Sequence, residues 1–136
     1  MPTPFKLTAP LPTEDWEAAC LIEWAHVTRW RGHRLSDLIV MIPNGVKLSG
    51  DPRQRAITMN RLKRMGFKAG CYDYFIAVPP GLWLELKRTK LGVVSEDQAT
   101  FGALMDKLGW STTVCKGWEA ASVAIMGFLN AMETPA

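Results

Sequence analysis

Histidine and cysteine are both scarce in this chain, and that scarcity narrows its chemistry. Among 136 residues only His26 and His33 are histidines, too few for a histidine-rich metal site. The three cysteines, Cys20, Cys71 and Cys115, are odd in number and spaced for neither a zinc site nor a disulfide framework, so free thiols in a reducing compartment are expected. No run of about 18 apolar residues exists, which excludes a membrane-spanning helix. The opening Met1-Pro2-Thr3-Pro4-Phe5-Lys6 lacks the apolar region of a secretory signal, so a cytoplasmic location is expected. There is no internal repeat and no low-complexity segment. The net charge of +3 is small, and it permits a polyanionic partner without pointing to one.

What is present is enough apolar material, 48% of the chain, for a sizeable core. Residues 1–12 hold four prolines and read as an irregular N-terminal arm, followed by a single domain over 13–133. Thr13 reads as the N-cap of a first helix with acidic residues in its opening turn. Ala18, Leu21, Ile22 and Ala25 give that helix a core face, and it is expected to run to about Arg29. Glu14 and Glu17, three residues apart, share a neighbouring face. After a basic connection, Leu38 to Ile42 is a short apolar run, expected as the first strand and covered on both faces. It ends at Pro43-Asn44-Gly45, a turn signal.

Asp51-Pro52 opens a second helix, which stops at Gly66. This helix and its exit carry Arg53, Arg55, Arg61, Lys63, Arg64 and Lys68. A solvated basic face and a grip on a phosphate backbone both fit that charge. Farther on, Ser95-Glu96-Asp97-Gln98 is a capping box for a helix that places Phe101, Leu104, Met105 and Leu108 on one side. Thr112 to Cys115 is β-prone. A final helix with an apolar stripe of Ala121, Ile125, Phe128, Leu129 and Met132 closes the domain, as core or as a subunit interface. Helix, strand, helix, hairpin, helix, strand, helix predicts a mixed α/β domain with helices on the faces of a central sheet.

The stretch from residue 70 to 98 carries the chemistry. Tyr72 to Val78 and Leu82 to Lys87 read as two strands joined by Pro79, Pro80 and Gly81. A hairpin centred near Pro80 sets Asp73 across from Lys87 and diagonal to Glu85. Two carboxylates and an amine then share one face. Buried, such a group is costly; for chemistry it is useful, because carboxylates are hard oxygen ligands for Mg²⁺. An ordinary hairpin with a solvated Glu-Lys pair fits the same pattern.

A family resemblance weighs on that choice. Gly66 to Asp73, Gly81-Leu82-Trp83-Leu84-Glu85-Leu86-Lys87-Arg88 and Ser95 to Gln98 resemble the virus-type replication-repair nuclease (VRR-NUC) domain of the PD-(D/E)xK nucleases. Pro12 to Glu17 with Ile22-Glu23-Trp24-Ala25, Ile42 to Gly45, and Cys115-Lys116-Gly117-Trp118-Glu119-Ala120-Ala121 extend the resemblance over nearly the whole chain, in order. One departure is Tyr72, where that family usually has proline before the metal-binding aspartate.

The resemblance implies a restriction-endonuclease-like core, a central mixed sheet flanked by helices, and hydrolysis of DNA phosphodiesters with Mg²⁺ or Mn²⁺. It implies Asp73 and Glu85 as ligands, with Lys87 beside the attacking water. An acidic residue of the first helix would complete the shell, Glu17 favoured over Glu14, and the backbone carbonyl of Leu86 is a further candidate. Gln98 would lie in the active site, a role that competes with its cap for one amide. Arg88 joins the basic residues as a DNA contact. Structure-selective cleavage of branched or junction DNA, Holliday junctions included, is implied, in a phage or bacterial replication and repair setting and as a homodimer. A binding module that keeps the fold without catalysis is the competing reading, and RNA is not excluded as a substrate.

Overall fold

The computed structural model describes residues 12–43, 48–90 and 92–132. The expected arm (1–12, save Pro12), the Asn44-Gly45 turn and the chain's last residues therefore lie outside the described residues. Helix α1 spans Glu14–Val27, and the Thr13 side chain caps it by accepting from the Trp16 N–H. A two-residue hairpin, β1 (Arg29–Trp30) and β2 (His33–Arg34), follows where only a basic connection was expected. It turns on Arg31 and Gly32, both at positive φ. After one turn of 3₁₀ helix over Leu35–Asp37 comes β3 (Ile39–Met41). Helix α2 (Pro52–Arg64) carries a full capping box between Asp51 and Gln54. Then follow β4 (Tyr74–Ile76), β5 (Leu82–Lys87), α3 (Glu96–Lys107), β6 (Ser111–Lys116) and α4 (Trp118–Asn130).

The main sheet has the order β3-β4-β5-β6. The pairs β3/β4 and β4/β5 are antiparallel, and β5/β6 is parallel, with α3 as the crossover. Strand β3 is thus an edge. The expectation that both its faces are covered fails, because Val40 and Met41 are exposed and Ile39 alone is buried.

One face of the sheet carries the core. Tyr74, Ile76, Leu82, Leu84 and Leu86 pack with Leu21 and Ala25 of α1 and with Ala121, Ile125 and Leu129 of α4. The apolar periods of those two helices supply the other side of the contact. The opposite face is aromatic: Phe75 stacks on Trp83, and Trp83 meets Phe101 of α3 edge-on. Helix α3 is less buried than its stripe suggested, since Leu104 and Leu108 are exposed and Gly102 is its buried residue. Helix α2 buries none of its residues.

Gly102 is buried for a steric reason. Tyr72 stacks its ring on Phe101 at 5.3 Å, and a Cβ on Gly102 would sit 2.2 Å from the Tyr72 hydroxyl. The tyrosine that replaces the resembling family's proline is thus housed against α3 by the absence of a side chain there. Gly102→Ala is expected to lower stability by about 1–2 kcal/mol, overpacking outweighing the gain in helix propensity. Urea unfolding checks this, and most of the loss should vanish in a Tyr72→Phe background. Equal losses in both backgrounds would show that the hydroxyl is not the obstacle.

Candidate active site

Strand β5 positions two of the charged groups, and its neighbours position the rest. The register Tyr74↔Leu84, Phe75↔Trp83, Ile76↔Leu82 continues to set Asp73 opposite Glu85. The expected pairing of Asp73 with Lys87 is therefore wrong by two residues. The first strand stops at Ile76 rather than Val78: the Ala77 N–H still pairs with Leu38, next to the neighbouring strand β3, but the Val78 N–H turns back onto the Ile76 carbonyl and the Gly81 N–H closes the turn on Val78. That moves the hairpin's centre back by one residue. A two-residue shift preserves the faces, so Asp73, Glu85 and Lys87 still share one.

Asp73 is held from both sides. Its carbonyl accepts from the Ile42 N–H at 2.7 Å and its Oδ2 from the Leu86 N–H at 3.1 Å. Glu85 is 1% exposed. Its Oε1 accepts from Gln98 Nε2 at 2.8 Å and lies 3.4 Å from Lys87 Nζ. No donor of the described residues reaches its buried Oε2. Lys87 is itself buried, and its ammonium also reaches Glu14 Oε1 at 3.8 Å.

Burial pushes the Glu85 carboxyl up to about 8, with the Asp73 charge adding to the rise and Lys87 opposing it. Burial also raises Asp73, against the Leu86 N–H, the Glu85 carboxyl and the Lys87 charge, which pull it down. The two carboxyls titrate as a pair, because negative charges side by side are costly where one group is buried and the other half-buried.

The Gln98 amide makes the expected cap and a contact with Glu85 at the same time. Its Oε1 accepts from the Ser95 N–H at 3.0 Å, completing the capping box, while its Nε2 donates to Glu85. The amide has two ends, and the helix cap and the carboxylate each take one. The cap thereby fixes the amide's orientation toward Glu85.

The two acidic candidates of α1 separate clearly. Glu14 is the one that reaches Lys87. Glu17 is buried and turned elsewhere: Oε1 accepts from the Thr89 hydroxyl at 2.9 Å and Oε2 from the Trp118 N–H at 2.5 Å. It ties α1 to the end of β5 and to the first turn of α4, where the helix dipole favours an anion. Gly117 makes room for this knot, since a Cβ there would lie 2.7 Å from the Thr89 hydroxyl and 3.4 Å from Glu17 Oε2. Sequence reasoning missed Thr89, a lone threonine past a strand; the glycine between β6 and α4 was the available signal.

Of the expected nucleic-acid contacts, Arg53, Arg55, Arg61, Lys63, Arg64 and Lys68 are all exposed, on or just beyond α2. Arg88 is half-buried at the end of β5, with its Nε buried and unpaired. The charged cluster itself consists of Asp73, Glu85, Lys87 and Glu14, with Gln98 behind it.

The residues present suit a hard divalent cation. The buried Glu85 Oε2, which accepts no hydrogen bond among the described residues, lies beside a second carboxylate, and such a pair is a set of hard oxygen donors. Among the described residues no three acidic, histidine or cysteine side chains converge as a complete cage. A paired carboxylate site of this kind matches Mg²⁺, which keeps several waters and takes one or two carboxylates.

No family model matches the sequence, and no curated protein matches it. A solved structure described as a VRR_NUC domain protein does match, with a TM-score of 0.76 at 23% identity, over 91% of this chain and 93% of that one. The chain therefore has the VRR-NUC fold: four helices around a mixed four-stranded sheet.

Proposed function

We propose that this protein is a divalent-cation-dependent nuclease that hydrolyses DNA phosphodiesters at the end of β5. The observation that carries the reading is the Glu85 carboxylate, fully buried beside Asp73, with one oxygen that accepts from no N–H or hydroxyl among the described residues. Such a pair is destabilising for the fold and useful for holding Mg²⁺ or Mn²⁺. The shared VRR-NUC fold supports it, because a nuclease-type fold is where such a pair has a use.

In this reading Asp73 and Glu85 hold the ion, with the Leu86 carbonyl as a further candidate ligand, and Glu14 reaches the site from α1 through Lys87. Once bound, the ion supplies charge neutralisation at the phosphate and acidifies water. Lys87, 3.4 Å from Glu85, orients the attacking water and stabilises charge at phosphorus. Gln98 keeps Glu85 Oε1 in place, leaving Oε2 for the ion. Glu17 acts at one remove, by holding α1 against α4. The basic residues of α2 and Arg88 bind the phosphate backbone, and the resemblance favours branched substrates and a dimer able to engage a junction.

The test is a panel of flapped, nicked, four-way and plain duplex DNAs, and RNA, incubated with Mg²⁺, with Mn²⁺ and with EDTA, alongside sedimentation to read the oligomeric state. Shortened products with metal and none with EDTA are expected. Substrate that is shifted in a gel but never shortened would replace this reading with a binding module; RNA cleaved in preference to DNA would change the substrate class.

A further inference from the structure

A groove of about 420 Å³ opens beside the charged cluster, within the range of small-ligand clefts, about 300–1,000 Å³. Trp16, Trp118 and Lys116 line it, together with Glu17 and Thr89. Three features set it apart. Trp16 leaves half its surface in water on a charged helical turn, outside the hydrophobic core. Lys116 is exposed and pairs in register with Lys87 across the parallel β5/β6 ladder, so its side chain leaves the same face one strand spacing, about 4.8 Å, away. Lys116, which lines the groove, is thus the register neighbour of Lys87 in the charged cluster. Finally, the carboxylate of Glu17 in its wall is consumed by Thr89 and the Trp118 N–H, so it is not free to claim Lys116. Glu119, also in the wall, is exposed on the first turn of α4.

We infer that this groove binds an unpaired nucleotide of the substrate strand, its base stacked on Trp16 against the Trp118 side and its phosphate on Lys116. Aromatic faces and a cation along one channel are what single-stranded nucleic acid requires, since every base has a π-face and stacks without regard to sequence. A paired base within a duplex presents only its edges and cannot use an indole this way. The inference rests on the nuclease reading and narrows it: the strand lying over Asp73 and Glu85 is unpaired on the side of α4, as at a flap or a splayed end.

The test is binding of a labelled oligothymidylate of about ten nucleotides, and of a blunt duplex, by fluorescence anisotropy in EDTA, where strands stay intact. Trp16→Leu is expected to weaken oligothymidylate binding about tenfold, Trp16→Phe to recover most of it, and neither to change duplex binding. Lys116→Gln should flatten the salt dependence by about 0.7 in the logarithmic slope, the share of one phosphate contact on a single strand. Trp16 is half exposed, so these variants keep the fold; matching unfolding midpoints verify it. Wild-type protein that fails to bind the oligothymidylate overturns the inference, as does a Trp16→Leu protein that binds like wild type or loses duplex and single strand equally. Stacking without any cleavage on the panel above would defeat the nuclease reading alone. Cleavage with Trp16 immaterial would defeat this one alone.

Discussion

Asp73→Asn and Glu85→Gln should each reduce cleavage on the order of a thousandfold while leaving the protein folded. Both replacements are isosteric and neutral. An asparagine at 73 can still accept from the Leu86 N–H, and a glutamine at 85 can still accept from Gln98, so the local hydrogen bonds survive. What disappears is the negative charge that a divalent cation needs. The fold should not suffer, because each change removes one of two carboxylates, Glu85 buried and Asp73 half-buried, that oppose each other. Lys87→Gln should reduce cleavage comparably, at some cost in stability, since it strips Glu85 of the cation that pairs with it among the described residues.

The two glutamates of α1 give the sharper contrast. Glu14→Ala should lower activity with stability within about 0.5 kcal/mol of wild type, as for exposed positions generally. Glu17→Ala should lower stability by about 1–3 kcal/mol, because it leaves the Trp118 N–H without its acceptor. Rates and urea midpoints on these five variants decide it. A folded Asp73→Asn protein cutting at wild-type rates would remove the chemical assignment, and a Glu17→Ala protein of full stability would remove the structural one.

Much of this was legible in the sequence, for physical reasons that can be named. Helix starts were written in local chemistry: Thr13, Asp51 and Ser95 each cap the helix that their side chains predicted. The faces of the hairpin were legible because side chains alternate with a period of two, so Asp73, Glu85 and Lys87 fell together even under a wrong register. The register itself depended on where β4 ends. Two backbone bonds inside the turn, Val78 N–H to the Ile76 carbonyl and Gly81 N–H to the Val78 carbonyl, end it, and residue types alone do not announce them. The exposure of β3 was hidden for a similar reason: an apolar triplet reads the same on an edge as in the middle of a sheet, and strand order is not a local property. Choosing between Glu14 and Glu17 needed Thr89 and Trp118, both far from α1 in sequence. Gln98 misled differently. One amide with two roles looked like a conflict, and only the direction of its two ends resolves it.

The protonation of the carboxyl pair carries the second large effect. Glu85 titrates near 4.5 in an unfolded chain and is pushed up to about 8 in the fold, and Asp73 is raised as well. Between those values the metal-free native state holds a proton that the unfolded chain has released. Stability must then fall as pH rises through this window, by at most about 1.4 kcal/mol per pH unit for each retained proton. The contribution is complete below the unfolded value and gone above the folded one. A divalent cation reverses the trend, since it requires both carboxylates deprotonated and binds the native state alone. Urea midpoints of the metal-free protein should therefore decline from about pH 5 to about pH 8, and added Mg²⁺ should restore them most at the alkaline end. Glu85→Gln should flatten the metal-free slope and abolish most of the Mg²⁺ effect, while Glu119→Gln, on the exposed first turn of α4, should do neither. If the metal-free slope is already flat in the wild type, or if Mg²⁺ stabilises Glu85→Gln as well as wild type, then the buried pair is not where the cation binds.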